Sequence, residues 1–171
     1  MCKRPRPKVI ILALVFWLVS ICMGMAADTK DMGGWEIGSP YNKHYDSSEV
    51  EKFRAWVVKV TETIPMPGMS PGVALHVREG NAPGSEITVV HVGPTWFIKP
   101  SSIGLKPGDR VKIRGVWAEI NGKDVFMASK IKKGDYFSLK VRLTKDGKPF
   151  WTMNSQELAA EREAAAPDKK K

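Results

Sequence analysis

The sequence is poor in residues that perform nucleophilic or thiolate chemistry. It contains two cysteines, Cys2 and Cys22, and three histidines in 171 residues. Both cysteines fall in the first 27 residues, which we interpret as an export leader, so the rest of the chain is predicted to form neither disulfides nor thiolate metal sites. The sequence also has no nucleophile elbow, no His-Glu-x-x-His zinc motif and no glycine-rich phosphate loop. It therefore predicts a protein without catalytic activity, held together by one hydrophobic core.

The N-terminal 27 residues have the pattern of an export signal. Four cations and no acid precede Val9, and the run from Val9 to Met25 is uncharged and mostly apolar. Small residues at Gly24 and Ala26 suit cleavage, so we predict a signal peptide of the general secretion route and a periplasmic protein. The alternative is an uncleaved inner-membrane anchor facing the periplasm, because the uncharged run approaches the ~20 residues that a membrane span needs.

Acidic residues are scarce in one half of the chain. The formal net charge is +9. Residues 28–105 carry 7 basic and 9 acidic side chains, whereas residues 106–148 carry 12 basic and 5 acidic ones. This asymmetry predicts a positive face that meets phosphate, anionic lipid or an acidic partner. The alternative is an ordinary lysine-rich surface exposed to solvent.

One stretch, residues 105–117, organises the predicted fold. Pro107-Gly108 predicts a turn, since proline fixes the first φ and glycine takes the positive φ that follows. Apolar and basic residues then alternate through residues 110–114, which is typical of a strand with one buried face. Gly115 allows a sharp bend or a close backbone approach. The order of these features predicts a strand of a small, strongly curved barrel.

Further apolar runs, bounded by glycine and proline, predict the rest of the sheet. Asn121-Gly122 is a strong signal for a two-residue hairpin turn. A short crossover joins the third strand to the organising strand, which is the fourth. The arrangement predicts an all-β fold, an OB-like Greek-key barrel of five or six strands, with a small β-sandwich as the alternative. The other five strands are predicted at residues 53–63, 72–78, 86–92, 124–130 and 136–143.

The barrel is predicted to have an extension at each end. It occupies residues 53–153, and residues 28–52 form an irregular arm whose three large aromatic side chains attach it to the barrel. Ser47 or Ser48 is predicted to cap one short helical turn in this arm. Residues 154–171 form a helical and then disordered basic tail, whose helix begins at a capping box of Asn154 and Glu157.

Four short stretches resemble a known group of proteins. They are Ser39-Pro40-Tyr41-Asn42, Met69-Ser70-Pro71-Gly72-Val73, Val90-His91-Val92-Gly93-Pro94-Thr95-Trp96-Phe97 and Pro107-Gly108-Asp109-Arg110-Val111. These stretches are similar to small exported bacterial OB-fold proteins of uncharacterised function, some loosely labelled as nucleic-acid-binding. The resemblance covers about residues 33–152. It implies an exported single-domain barrel and brings no catalytic residues.

A binding or accessory module of the bacterial cell envelope is the function that these features predict. Ligand binding is expected on the face formed by strands two and three, as in other OB folds. An aromatic platform is expected at the end of this face, and basic residues are expected to contact an anionic partner along its length. The partner is expected to be an envelope protein, an anionic polymer or a lipid surface. Nucleic acid is a further alternative that export disfavours, and the membrane is a partner only if the leader stays uncleaved. The predicted ligand-binding residues are His76, Arg78, His91, Trp96, Lys112, Arg114 and Lys130.

A soft-metal site is the sharpest alternative function. Met66 and Met69 lie in a stiff proline-rich loop before the strand that carries His76, and His91 is expected near that strand's partner. Thioether and imidazole ligands suit Cu(I) or Ag(I). The competing interpretation is that both methionines pack the loop against the barrel rim. No cofactor other than copper is predicted.

Overall fold

Six strands form one curved sheet that closes on itself. The computed structural model describes residues 31–80 and 84–165, so the predicted leader and the last residues of the tail lie outside the described part of the chain. The sheet has the order β3-β2-β1-β4-β5-β6, and a parallel pairing of β3 with β5 closes the ring. This is the predicted OB-like Greek-key barrel. The strands are β1 (Glu51–Thr63), β2 (Gly72–Arg78), β3 (Ile87–Pro94), β4 (Arg110–Ile120), β5 (Lys123–Lys133) and β6 (Phe137–Lys140).

Two of the glycine positions that the sequence predicts to bend or turn the chain have the expected geometry. At Gly115 the β4–β5 register shifts, and a Cβ built on this residue would lie 2.0 Å from the Met127 carbonyl oxygen. Only glycine allows that approach. In the β4–β5 hairpin, Asn121 and Gly122 have φ of 54° and 69°, the left-handed values that a type I′ turn requires.

The barrel interior is filled by aliphatic residues from all the long strands. The connection after β3 contributes Ile98, Ile103 and Leu105 to this core. Trp96 and Phe97 remain 44% and 37% exposed, so the aliphatic residues, and not these two aromatics, close the end of the barrel.

The N-terminal arm is bound firmly to the barrel. Trp35 and Tyr41 are buried, and the Trp35 indole nitrogen donates to the Ser70 carbonyl at 3.0 Å. The Trp151 indole nitrogen donates in turn to the Trp35 carbonyl at 2.9 Å. The arm is therefore attached by its aromatics, as predicted.

The arm also contains two short helical elements. Helix α1 spans Pro40–Lys43, and its N-cap is Ser39. A 3₁₀ turn spans Ser47–Glu49 and is capped by the Asp46 side chain. The prediction that Ser47 or Ser48 is the cap was wrong, because the Asp46 carboxylate accepts from the Ser48 amide and hydroxyl.

The described part of the chain ends in a short, mostly exposed helix. Helix α2 spans Ser155–Ala165. The Asn154 side chain accepts from the Glu157 amide, and Glu157 accepts from the Asn154 amide, which completes the predicted capping box. Across residues 31–80 and 84–165, no helix has the length and apolarity to cross a membrane.

Candidate ligand-binding face

The outer face of β1, β4, β5 and β6 carries a dense group of basic side chains. Along β4, exposed basic residues alternate with buried apolar ones, and the start of β1 and the end of β5 continue the pattern. We call the group the basic face. It consists of Lys52, Arg54, Arg110, Lys112, Arg114, Lys130, Lys132 and Lys140.

Strand register arranges most of these cations in two rows. The first row crosses four strands, with Lys52 opposite Arg114, Arg114 opposite Lys130, and Lys130 opposite Lys140. In the second row, Arg54 lies opposite Lys112, which lies opposite Lys132. Directly opposed residues in a sheet have their Cβ atoms about 5 Å apart. The basic face is therefore a two-dimensional array of closely spaced positive charges.

These cations have no acidic partners in the described part of the chain. The ion pairs found there join Lys133 to Asp109 and Lys148 to Glu157, outside the basic face. The pKa of Lys130 lies below its ordinary value, first because of partial burial and then because of the charges of Lys132, Lys140 and Arg114. The cations around Lys130 thus raise the energy of its charged form, and an anion bound between them would relieve that repulsion.

Two shallow grooves run across the basic face. One of about 240 Å³ is lined entirely by basic residues, namely Lys52, Lys112, Arg114, Lys130 and Lys132. The other, of about 510 Å³, includes Arg54, Arg110 and Lys132, with Asp135 at its border. The grooves are open to solvent and lined mainly by cationic side chains, so they suit anionic groups on an extended surface better than an enclosed small molecule.

Two aromatic side chains flank the basic face. The Arg110 guanidinium lies 5.2 Å from the ring centroid of Trp56, its cross-strand partner. Tyr136 follows Asp135 in the β5–β6 turn and is fully exposed. Trp and Tyr side chains are common where a protein meets the polar layer of a membrane.

The basic face was predicted only in part. Lys112, Arg114 and Lys130 lie on it as one group. The contributions of Lys52, Arg54 and Lys140 were missed, although their alternation with Phe53 and Leu139 was a usable signal. Arg142, another cation of the basic half of the chain, is 2% exposed and does not lie on this face.

Of the predicted binding residues on β2, Arg78 lies next to the basic face, across Trp56 from Arg110, and His76 lies farther along the strand. His76 is half-buried, and its Nε2 lies 3.1 Å from the Thr61 hydroxyl. Its pKa is lowered, mainly by burial and also by the charge of Lys59. Arg78 is half-buried opposite Trp56, and its Nε has no hydrogen-bond partner.

His91 is not available on an open binding face. It lies opposite Ala74, whereas His76 lies opposite Val89, so His91 is two residues along β3 from the cross-strand partner of His76, near it as predicted. His91 is 5% exposed and stacks obliquely on Tyr41 of the arm, with ring centroids 6.0 Å apart. Burial lowers its pKa to about 4. The arm covers this part of the β2–β3 face, which is why the prediction was wrong.

Trp96 lies at the end of β3, as predicted, in an aromatic group. Its ring centroid is 6.4 Å from that of Phe97, which in turn lies 6.1 Å from that of Trp151. None of these three aromatic residues belongs to the basic face, which lies on β1, β4, β5 and β6. It therefore forms a separate surface feature.

The four predicted metal ligands do not line one cavity. Met66 and Met69 line a pocket of about 170 Å³ together with Tyr41, and neither His76 nor His91 is among its lining residues. Both methionines pack against the core. In the described residues, no group of three or more His, Cys, Asp or Glu side chains is arranged to hold a metal ion.

Comparison with known proteins gives one family. A model described as the MamS/MamX magnetosome protein family matches residues 49–138. This segment is just over half of the chain and contains β1 to β5 and the start of β6. All residues of the basic face except Lys140 fall inside it. No curated protein matches the chain.

Proposed function

The chain belongs to the MamS/MamX magnetosome protein family, and from this premise we propose that it is a non-catalytic accessory module that binds an anionic membrane surface at the magnetosome. The observation that carries the proposal is the basic face, with one row of cations across four strands, a second across three, and no acidic partners in the described residues. A bilayer with anionic lipids presents many phosphate groups at its surface, which an array of closely spaced Lys and Arg side chains can contact together.

A lipid surface fits the flanking residues better than a polymer in solution does. Trp56 lies beside the basic face and Tyr136 projects fully from the adjoining turn. Their amphipathic rings suit the headgroup layer. We also propose that the protein acts on the periplasmic side of the envelope, released or anchored according to the fate of its leader, and cell fractionation with a C-terminal tag would test that location.

Vesicle sedimentation of the full-length protein tests the lipid proposal. We expect binding to phosphatidylcholine vesicles only when they contain phosphatidylglycerol. A triple variant, Lys112→Gln, Arg114→Gln and Lys130→Gln, should bind about 100-fold more weakly, since each basic residue near an anionic membrane contributes about 1 kcal/mol. The matched control removes three exposed lysines elsewhere, through Lys43→Gln, Lys99→Gln and Lys145→Gln, and should lose far less.

The same experiment separates the alternatives. Tyr136→Ser should weaken binding to vesicles but leave binding to soluble polyphosphate unchanged. If single-stranded DNA or polyphosphate binds more tightly than the vesicles do at the same salt concentration, the partner is a polymer and the lipid proposal is wrong. Equal losses in the two triple variants would also refute it.

Soft-metal binding is a second proposal, favoured by one observation. The Nδ1 atom of buried His91 has no hydrogen-bond partner, and Tyr41 separates it from the pocket that Met66 and Met69 line. Titration with Ag(I) tests this proposal. Saturable binding that is lost in Met66→Leu and Met69→Leu would support it, and binding unchanged by both substitutions would exclude these residues.

A further inference from the structure

A second groove lies at the point where the barrel closes, and its chemistry is opposite to that of the basic face. The parallel pairing that closes the ring is short, with Val90 opposite Phe126 and His91 opposite Met127. Counting back in register, Val89 with Val125 and then Thr88 with Asp124 would be the next pairs, but Thr88 and Asp124 line a groove of about 700 Å³ instead. The strands β3 and β5 therefore separate here and leave an open seam.

Each strand at the seam has a partner on one side only. Residues 87–89 pair with β2, and residues 123–125 pair with β4. No pairing across the seam joins these two segments in the described residues. Bare strand edges carry unpaired N–H and C=O groups that can accept an added strand.

The side chains that line the seam are acidic and apolar. Glu79, Glu86 and Asp124 contribute carboxylates, and none of them has an ion-pair partner in residues 31–80 and 84–165. Ile87 and Trp117 also line it and are 42% and 41% exposed. Among the residues that the structure describes, no basic one belongs to the lining. Arg78 lies opposite Ile87 but is half-buried.

Trp117 is held in place by the residues behind it. Its ring stacks on Phe53 with a centroid distance of 6.3 Å and meets the edge of buried Phe126 at 5.2 Å. A large aromatic surface that is fixed before binding costs little entropy when a partner covers it. The seam thus combines two bare strand edges, a rigid apolar anchor and a negative rim.

We propose that this seam binds a short extended segment of a partner protein, in which basic and apolar residues alternate, by strand addition between β3 and β5. Alternation is required because successive side chains of a strand point to opposite sides. The register places Asp124 and Trp117 on one side of the sheet and Ile87 on the other, so the basic residues reach Asp124 beside Trp117 while the apolar ones reach Ile87. Backbone hydrogen bonds to the strand edges supply affinity. The proposal is independent of lipid binding, which uses the other end of β4 and β5.

Nuclear magnetic resonance of the full-length protein with synthetic peptides tests the proposal. The probe is an acetylated and amidated peptide that alternates lysine and valine, compared with its glutamate–valine counterpart and with an analogue whose backbone nitrogens are methylated. We expect the lysine peptide to cause saturable shifts at Thr88, Asp124 and the Trp117 indole. The glutamate peptide should cause none, and the methylated analogue should bind at least 10-fold more weakly.

Charge variants give the matching test on the protein. The pair Glu86→Lys and Asp124→Lys should weaken binding of the lysine peptide at least 10-fold, whereas Glu161→Lys and Glu163→Lys, on exposed α2, should leave it unchanged. Ile87→Ser tests the apolar contact without disturbing the packing behind Trp117. Absence of saturable binding, equal affinity for the methylated analogue, or equal affinity in the two charge variants would each overturn the proposal.

Discussion

Lys112 and Lys132 lie directly opposite each other on β4 and β5, so two positive charges are neighbours on the outer face of the sheet. Arg54 faces Lys112 from the other side. Like charges at opposed positions destabilise a sheet by a few tenths to about 1 kcal/mol for each pair. A chain selected for stability alone would place an acid in such a row. The repulsion is therefore consistent with a face that is kept basic for a partner.

Replacing Lys132 with glutamate should separate stability from binding. Lys132→Glu puts an opposite charge against Lys112, so we expect the free energy of unfolding to rise by about 0.5 to 1 kcal/mol in urea denaturation. The charge change of two should lower affinity for phosphatidylglycerol vesicles by about 30-fold. Lys145→Glu, which makes the same charge change away from the face, serves as the control. A loss of stability in Lys132→Glu would contradict the assignment of mutual repulsion.

Local signals in the sequence account for most of the barrel. Three signals that act over a few residues each have their predicted geometry. They are the glycine at the point of closest approach, Asn121-Gly122 at the hairpin, and the capping box at Asn154. Strand limits differ by a few residues because pairing with neighbours decides where a strand ends. The β1 strand, for example, begins at Glu51 because it pairs there with Gly115.

The candidate site depended on information that local patterns do not contain. Alternation in residues 110–114 predicts that Lys112 and Arg114 face outward, but only the strand order β1-β4-β5-β6 brings Lys52 and Lys140 into the same row. His91 has the sequence position of an exposed binding residue. It is buried because Tyr41 of the irregular arm packs over it. The packing of this arm follows no periodicity in the sequence.

The burial of His91 predicts a pH dependence of stability. Its pKa is about 4 in the folded protein, whereas an unfolded chain has a histidine pKa of about 6.5. Between these two pKa values the unfolded state binds more protons than the folded state. The contribution of His91 therefore makes the free energy of unfolding fall as the pH drops through this range. From about pH 7 to about pH 4.5 the loss should be roughly 2 to 3 kcal/mol.

Urea denaturation of His91→Gln at both pH values measures this contribution. The variant's stability at neutral pH reflects the changed packing against Tyr41, so the informative quantity is the difference between the two pH values. That difference should be smaller than in the parent protein by most of the expected 2 to 3 kcal/mol. His91→Asn, which changes packing differently, should show the same reduction. An unchanged difference in both variants would mean that His91 takes up its proton without unfolding.

Gly115 should be among the positions least tolerant of a side chain. A Cβ there would lie 2.0 Å from the Met127 carbonyl oxygen and 2.8 Å from the Phe126 ring. Because the nearest atom is backbone, Gly115→Ala must shift β4 from β5, and we expect a loss of about 3 kcal/mol or more in chemical denaturation. Gly38→Ala is the matched control, since its Cβ would meet nothing within 4 Å, and it should change stability by less than about 0.5 kcal/mol.

Arg142 joins the arm to the barrel through a geometry that only a guanidinium can provide. Its Nη2 donates to the Asn42 side chain at 2.7 Å and its Nη1 to the Gly147 carbonyl at 3.3 Å. The guanidinium carbon lies 4.8 Å from the Tyr45 ring centroid and 4.9 Å from that of Trp151. Burial lowers the pKa of this group from its ordinary value, with the tyrosines acting in the opposite direction.

Substitution of Arg142 should therefore loosen the arm, even when the charge is kept. Arg142→Lys retains a cation but loses the planar fork and the stacking between two rings, so we expect it to lose about 2 kcal/mol, with Arg142→Met losing about 3. Near-ultraviolet circular dichroism should report the change at Trp35 and Trp151, and Lys145→Met should leave both stability and spectrum unchanged. Full stability in Arg142→Lys would show that charge alone suffices. The expected loss would instead show that this arginine, despite its place in the basic half of the chain, holds the arm over His91.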